Sequence, residues 1–190
     1  MTLTPGVTVP PMPDAVSITY SPGWESTSDF PAGDCDEGRR SIIAAEEWKL
    51  RERWFAADVS LSTAGYSAEY VRTPLIDYAM MLGYSLEMAA VNGLSRFSAD
   101  GGPTLVLVRR GNSVEIRQGR GTEAVAEFAD LMSACVRFRR EFIDEITGRF
   151  PDLLLNDLIE RLFRDSGLRE VSRDRFLRHS RAAKLRSELT

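Results

Sequence analysis

The chain has 190 residues, of which 43% are hydrophobic, and a formal net charge of -4 at pH 7. This length can bury one substantial core, so a single domain with tails is the simplest organisation. No apolar stretch approaches the ~18 to 20 residues that span a bilayer, and the first residues lack the basic and apolar segments of a signal peptide, so we expect a cytoplasmic protein with no membrane partner.

The N-terminal 40 residues are predicted to precede the folded domain, with parts of the acidic stretch docked on it through Trp24 and Phe30. Residues 1–23 contain five prolines, which remove backbone donors and disfavour helix, so this segment is predicted to be extended and flexible. Residues 24–40 are rich in acids and turn formers and are predicted to be an acidic irregular arm. Acidic and aromatic side chains suit a basic protein partner. The candidate partner-binding residues of the arm are Trp24, Phe30, Asp34, Asp36 and Glu37.

Residues 41–167 are predicted to form a single α+β domain. Its first segment, over residues 41–52, contains good helix formers after Ser41, which can cap a short helix. The following residues alternate apolar and polar side chains, which predicts a half-buried strand near 54–63.

The clearest helix start lies near residue 74. Thr73 can cap the free amides, Pro74 fits the first helical position, and Gly93 suits the left-handed residue beyond the end, which predicts a helix near 74–91. The predicted core face of this helix consists of apolar and small residues at three- and four-residue spacing: Leu75, Ile76, Ala79, Met80, Gly83, Leu86 and Ala90.

A β-hairpin is predicted near 103–118, because two apolar runs flank a two-residue turn at Gly111 and Asn112. Glycines and arginines follow up to Thr122, and their amides could meet an anion. Both common phosphate-binding patterns, G-x-x-x-x-G-K-S/T and G-x-G-x-x-G, are missing from this stretch. We therefore interpret it as a turn into a helix that Thr122 caps.

Two further helices complete the predicted domain. A helix near 122–147 is the longest element and places large apolar residues on one face, and a leucine-rich helix is predicted near 153–165. The sequence therefore predicts an α+β fold in which a small, mainly antiparallel sheet packs against three helices.

The segment 168–190 is predicted to be a basic C-terminal helix or tail, with seven Lys and Arg residues against three acids. Its cations could neutralise phosphates, although they encircle a helix and do not form one stripe. Binding to nucleic acid would then be nonspecific attraction to the backbone. The candidate nucleic-acid-binding residues are Arg173, Arg175, Arg178, Arg181, Lys184 and Arg186.

The sequence contains no recognisable catalytic set. His179 is the single histidine and lies among arginines, whose positive charge opposes a role as a general base. Two cysteines and one histidine cannot form a cysteine/histidine zinc site within this chain. We expect no catalytic residue, no metal and no cofactor. The alternative is a small enzyme whose acids converge in three dimensions beside Arg109, Arg110 or Arg117.

In size, acidity and layout, the chain is similar to many small bacterial proteins that bind another protein, including immunity proteins that mask a toxin. This similarity concerns architecture and not any motif. The resulting expectation is a noncatalytic protein-binding domain with an immunity or regulatory role, which masks a basic partner. A nucleic-acid-associated regulator that uses the basic C-terminal segment is the second expectation.

Overall fold

The computed structural model describes residues 16–22 and 36–165, which form an α+β fold of two small antiparallel sheets and five α-helices. The strands are β1 (Val16–Pro22), β2 (Ala56–Thr63), β3 (Tyr66–Pro74), β4 (Leu94–Phe97), β5 (Leu105–Arg110), β6 (Ser113–Arg117) and β7 (Ala124–Glu127). The helices are α1 (Asp36–Ile43), α2 (Glu47–Lys49), α3 (Leu75–Asn92), α4 (Phe128–Arg149) and α5 (Asp157–Asp165). A π-helical turn (Leu50–Trp54) continues α2, and a 3-10 turn (Pro151–Leu155) precedes α5. The predicted fold class is confirmed, although the strands form two sheets where the sequence predicted one.

The first sheet has the strand order β1-β2-β3. The strand predicted near 54–63 is its central strand, β2. Its edge strand β1 comes from the segment that was predicted to be extended and flexible. Val16 and Ile18 of β1 are 2% and 6% exposed and lie opposite Thr63 and Leu61 of β2. Burial of alternate side chains therefore fixes this part of the segment in the sheet.

The third strand of this sheet, β3, is absent from the predicted elements. Ala68 and Tyr70 are buried, whereas Ser67 and Glu69 between and beside them are exposed. This alternation is the pattern of a strand with one solvated face. The sequence therefore contains a period-two signal for this strand.

A bulge interrupts β3 opposite Asp58. Arg72 has a φ of 52°, and its N–H donates a 2.8 Å hydrogen bond to the Asp58 carboxylate. The N–H of Val71 donates to the carbonyl of Gly101 at 3.0 Å. Gly101, in the loop between β4 and β5, has a φ of 75°, and a Cβ there would lie 1.9 Å from the Val71 carbonyl oxygen. The loop of the second sheet thus closes the bulge of the first.

The second sheet has the order β4-β5-β6-β7, so each strand pairs with its neighbour in the sequence. The predicted hairpin is confirmed as β5 and β6. Its turn has glycine at the first position with a positive φ, 64° at Gly111. The segment Gly119 to Thr122 is a turn as predicted, with a φ of 71° at Gly119.

The helix predicted over 122–147 begins later, at Phe128, because residues Ala124–Glu127 form β7. Ala124 and Ala126 are buried opposite Ile116 and Val114 of β6. Thr122 therefore does not cap α4. Pairing with β6 prevails over the helix propensity of alanine and glutamate in this segment.

The start of α3 also differs from the prediction. Pro74 is the cap residue with an extended backbone, and the buried Thr73 hydroxyl has no hydrogen-bond partner in the described part of the chain. The N–H of Leu75 donates instead to the carbonyl of Phe55 at 2.8 Å. Gly93 ends the helix in the left-handed conformation, as predicted.

The acidic arm predicted over 24–40 is helical at its end, because α1 begins at Asp36. Ser41 lies inside this helix, and its hydroxyl donates to the carbonyl four residues earlier, so it is not a cap. Arg39 forms a 2.7 Å ion pair with Asp152 in the 3-10 turn. The end of the arm is therefore bound to the domain.

The core between the two sheets contains a cluster of aromatic rings. Tyr78 of α3 packs edge-on against Tyr70 of β3 and Phe97 of β4, each with a centroid distance of 5.1 Å. It also contacts Phe138 of α4 at 5.5 Å, and Phe138 contacts Tyr20 of β1 at 5.7 Å. Both sheets therefore share one core with α3 and α4.

Candidate functional site

Most residues that the sequence predicted as binding residues lie outside the described part of the chain. These are Trp24, Phe30 and Asp34 of the acidic arm, and Arg173, Arg175, Arg178, Arg181, Lys184 and Arg186 of the basic C-terminal segment. Both binding hypotheses for these segments stay predictions. Asp36 and Glu37 are described and exposed in the first turn of α1, where carboxylates interact favourably with the helix dipole.

The three arginines of the enzyme hypothesis do not share one site, because Arg109 lies apart from Arg110 and Arg117. Arg109 lies 4.4 Å from the ring centroid of Phe128 and donates hydrogen bonds to the carbonyls of Gly111 and Ala90. Its guanidinium therefore joins the hairpin to α3 and α4. This arrangement is structural.

Arg110 and Arg117 lie beside Glu115 on the solvent-facing side of the second sheet. A hydrogen bond from Arg117 is the main cause that lowers the pKa of Glu115, and Arg110 lies 3.5 Å from the same carboxylate. Such exposed pairs are common on sheet surfaces. Among residues 16–22 and 36–165 there is no group of three or more His, Cys, Asp or Glu side chains that could hold a metal ion.

An open groove of about 610 Å³ runs along the outer side of α4. Its described lining comes from this helix alone and consists of Met132, Ser133, Val136, Arg137, Arg140 and Glu141. Arg137 donates to the carbonyl of Val16 at 3.3 Å, which connects α4 to β1. Ser133, Arg137, Arg140 and Glu141 share one face of the helix, because they follow one another at spacings of three and four residues or lie beside such a pair.

The feature of the described surface that stands out is α3. Its 18 residues include only two charged side chains, Asp77 and Glu87, and no basic one. The buried face consists of Leu75, Ile76, Tyr78, Ala79, Leu82, Ser85, Leu86 and Ala89. This face is rotated from the predicted one, because Met80, Gly83 and Ala90 are only partly buried. Because α3 has so few charged residues, several of its apolar residues lie outside the buried face.

Four of these residues form an apolar stripe, which we call the outer face of α3, and one of them, Met81, also packs against the core. It consists of Met81, Tyr84, Met88 and Val91, at successive spacings of three, four and three residues. Tyr84 is 59% and Val91 is 79% exposed, and the two methionines are partly buried. This spacing is the one by which helices pack against a second helix.

Two further exposed apolar side chains lie near the ends of α3 in the sequence or through a neighbouring ion pair. Leu94, 55% exposed, follows directly after Gly93. Trp48, 45% exposed, lies one helical turn before Arg51, which forms a 2.5 Å ion pair with Asp77 at the start of α3. Two of the large exposed apolar residues of the described chain, Tyr84 and Val91, lie on α3 itself, whereas Val71 and Val125 lie on β3 and β7. Such an exposed apolar surface on α3 marks a site of association.

The predicted binding residues do not include this site, although the sequence contains a signal for it. The 3-4 spacing of Met81, Tyr84, Met88 and Val91 is as regular as that of the core face. Apolar residues on a helix were assigned to the core as a rule, which is correct for one face only. The near absence of charge over 18 residues was the observation that could have separated the two faces.

None of the helices in the described ranges combines the length and apolar character needed to cross a bilayer. The chain matches no protein-family model, no curated protein and no solved structure. The functional proposal therefore depends on the surface of the molecule itself.

Proposed function

We propose that the protein is a noncatalytic protein-binding domain that receives a helix of its partner on the outer face of α3. The observation that carries this proposal is the exposure of Tyr84 and Val91 in an apolar stripe with helical spacing. Exposed apolar area lowers the free energy when a partner removes it from water, by roughly 25 cal/mol per Å². Tyrosine and methionine are also enriched in the centres of protein interfaces.

The residues of the outer face suit a helical partner. Met81 and Met88 are flexible and polarisable, so they can fill the gaps between the side chains of another helix. Tyr84 provides a large ring with a hydroxyl that can stay in contact with water at the rim. The spacing predicts anchors at three- and four-residue intervals on the partner.

We also propose that the protein acts in the cytoplasm. Cys135 is a free, buried cysteine, which suits a reducing compartment. We propose that this function is an immunity or regulatory role in which the protein masks a basic partner. The exposed carboxylates Asp36 and Glu37 of α1 suit a basic partner.

Affinity capture from the native cytosol tests the proposal with three forms of the full chain: wild type, Tyr84→Lys and Val125→Lys. Val125 is a matched control, since it is 59% exposed like Tyr84 but lies on β7. We expect the wild type and Val125→Lys to capture the same partner protein. Tyr84→Lys should not capture it, because a lysine ammonium resists removal from water. Equal recovery with all three forms, or no specific protein with the wild type, would contradict the proposal.

A further inference from the structure

We propose that the groove along α4 binds residues 1–15 of this chain, which cross the helix as an extended segment that continues from β1. The groove lies on a different helix from the outer face of α3, so the two surfaces can act independently. A segment that docks in a groove must start near it, run toward it, and carry side chains that match its lining.

The groove requires a second wall. Its described lining comes from α4 alone, with Met132, Val136 and Arg137 half-buried and Ser133, Arg140 and Glu141 exposed. Because a single helix is convex, α4 supplies only one side of a groove of about 610 Å³. A neighbouring segment of the chain is needed for the other side.

The start of β1 lies at the edge of the groove. Arg137, which lines the groove, donates a 3.3 Å hydrogen bond to the carbonyl of Val16. Residues 1–15 therefore begin in contact with the lining. The groove from Met132 to Glu141 is roughly 14 Å long, and four extended residues span about 13 Å, so the segment is long enough to cover it.

The direction of β1 also leads toward the groove. Val16 contacts Arg137, whereas Tyr20 donates a hydrogen bond to Glu145, two helical turns farther along α4. The strand and the helix therefore run in the same direction. Traced backwards from Val16, the chain is directed toward the start of α4, where Met132 lies.

The charges of the segment match those of the lining. Asp14 is the only charged side chain among residues 1–15, and it lies two residues before β1. The groove contributes the guanidinium groups of Arg137 and Arg140, with which a carboxylate forms strong hydrogen bonds. The basic segment 168–190, with seven Lys and Arg residues against three acids, is repelled by the same arginines.

The apolar residues match as well. Met12 is flexible and unbranched, so it can fill the space beside Met132 and Val136 and remove them from water. Residues 1–15 also contain four prolines, which favour an extended backbone. A segment that is already extended loses little conformational entropy when it docks.

Disulfide formation within the full chain tests the docking. Met12→Cys is combined with Val136→Cys or, as a control, with Asp144→Cys, in chains that carry Cys35→Ser and retain the buried Cys135. Asp144 is exposed on α4 but does not line the groove. Under mild oxidation, the intramolecular disulfide to residue 136 should form about tenfold faster than the disulfide to residue 144, because docking raises the local concentration of residue 12 in the groove.

Two controls make this comparison specific. In urea the two disulfides should form at similar rates, because the loops that they close have nearly equal lengths. Far-UV circular dichroism and the melting temperature show that each reduced variant folds like the wild type. Rates in the folded chain that differ by less than about threefold would overturn the proposal, since an undocked segment reaches both positions. A Phe30→Cys variant that forms the disulfide to residue 136 in place of Met12→Cys would also overturn it, because the acidic arm then occupies the groove.

A charge exchange tests the role of Asp14. In the chain with Met12→Cys and Val136→Cys, Asp14→Arg alone and Arg140→Asp alone should each slow the disulfide by about fivefold, because like charges then meet in the groove. The two changes together should restore the rate, since the pair is present again with its charges exchanged. A double variant that stays as slow as the single variants, or single variants without effect, contradicts the proposal.

Discussion

Asn156 connects three segments of the chain through its buried side-chain amide. Its Nδ2 donates to the carbonyls of Ile43 and Ala45, each at 3.0 Å, and its Oδ1 accepts from the N–H of Leu158 at the same distance. The residue is 5% exposed. It therefore caps α5 and satisfies carbonyls at the end of α1.

We expect Asn156→Ala to lower the free energy of unfolding by roughly 2 kcal/mol or more, because it removes a cap and leaves buried carbonyls unpaired. Urea denaturation measures this change. Asn92→Ala is the control, since Asn92 is exposed at the end of α3, and it should change stability by less than about 0.5 kcal/mol. Similar losses for the two variants would contradict the role of Asn156.

Because the Cys135 thiol is buried, the free energy of unfolding is expected to fall at alkaline pH. Burial raises the pKa of its thiol from 9.0 to about 11, with a further contribution from Glu87 that Arg139 opposes. The folded state therefore holds this proton more tightly than the unfolded state. The stabilisation is complete below pH 9 and is lost as the pH rises from 9 to about 11.

The wild type should consequently lose roughly 2 to 3 kcal/mol more than Cys135→Ala between those pH values. Urea denaturation at intervals of pH measures the two slopes. The alanine variant starts from lower stability because it leaves a cavity, so the comparison concerns the slopes and not the absolute values. Parallel slopes would show that the thiol does not titrate in this range.

Among the elements, β3 depends on a close backbone approach at its bulge. Gly101 combines a φ of 75° with the contact to the Val71 carbonyl, whereas Gly119 has a φ of 71° and open space around its Cα. A side chain at either glycine would therefore be strained by its φ, but only a side chain at Gly101 would also overlap another part of the chain.

We expect Gly119→Ala to cost about 1 kcal/mol, the strain of a left-handed residue with a side chain. Gly101→Ala should cost roughly 1 to 3 kcal/mol more, because the new Cβ displaces β3 from the loop. Thermal unfolding of both variants measures the difference. An equal shift in melting temperature would mean that the loop moves away freely.

Elements with their own local signal were predictable from the sequence. α3 and the β5–β6 hairpin have helical periodicity or turn glycines within a few residues, and both were found. β7 could not be found in this way, because alanine and glutamate favour helix and only the partner strand β6 makes Ala124–Glu127 a strand. The outer face of α3 has a local signal, but its meaning depends on which face the sheets cover, and a sequence does not state that.

At the scale of the whole molecule, the aromatic cluster makes the two sheets a single cooperative unit. Phe138 contacts β1 through Tyr20 and reaches β3 and β4 through Tyr78. Each sheet alone has only three or four strands. Neither has another large hydrophobic layer in the described chain, so both depend on this contact.

Phe138→Ala should lower the free energy of unfolding by roughly 3 to 5 kcal/mol, because it leaves a large cavity at the centre of the cluster. Hydrogen exchange should become faster to a similar extent in β2 and β5, which belong to different sheets. The exposed Val125→Ala should change neither. Faster exchange confined to one sheet would show that the sheets unfold separately.

The order of strands in the second sheet has a consequence for biosynthesis. Because β4 to β7 pair only with sequence neighbours, each pairing closes a short loop and carries a small entropic cost. A nascent chain that has left the ribosome only as far as Glu127 already contains every strand of this sheet. We expect these strands to begin pairing co-translationally, and the sheet to become stable only when α4 emerges and packs on it.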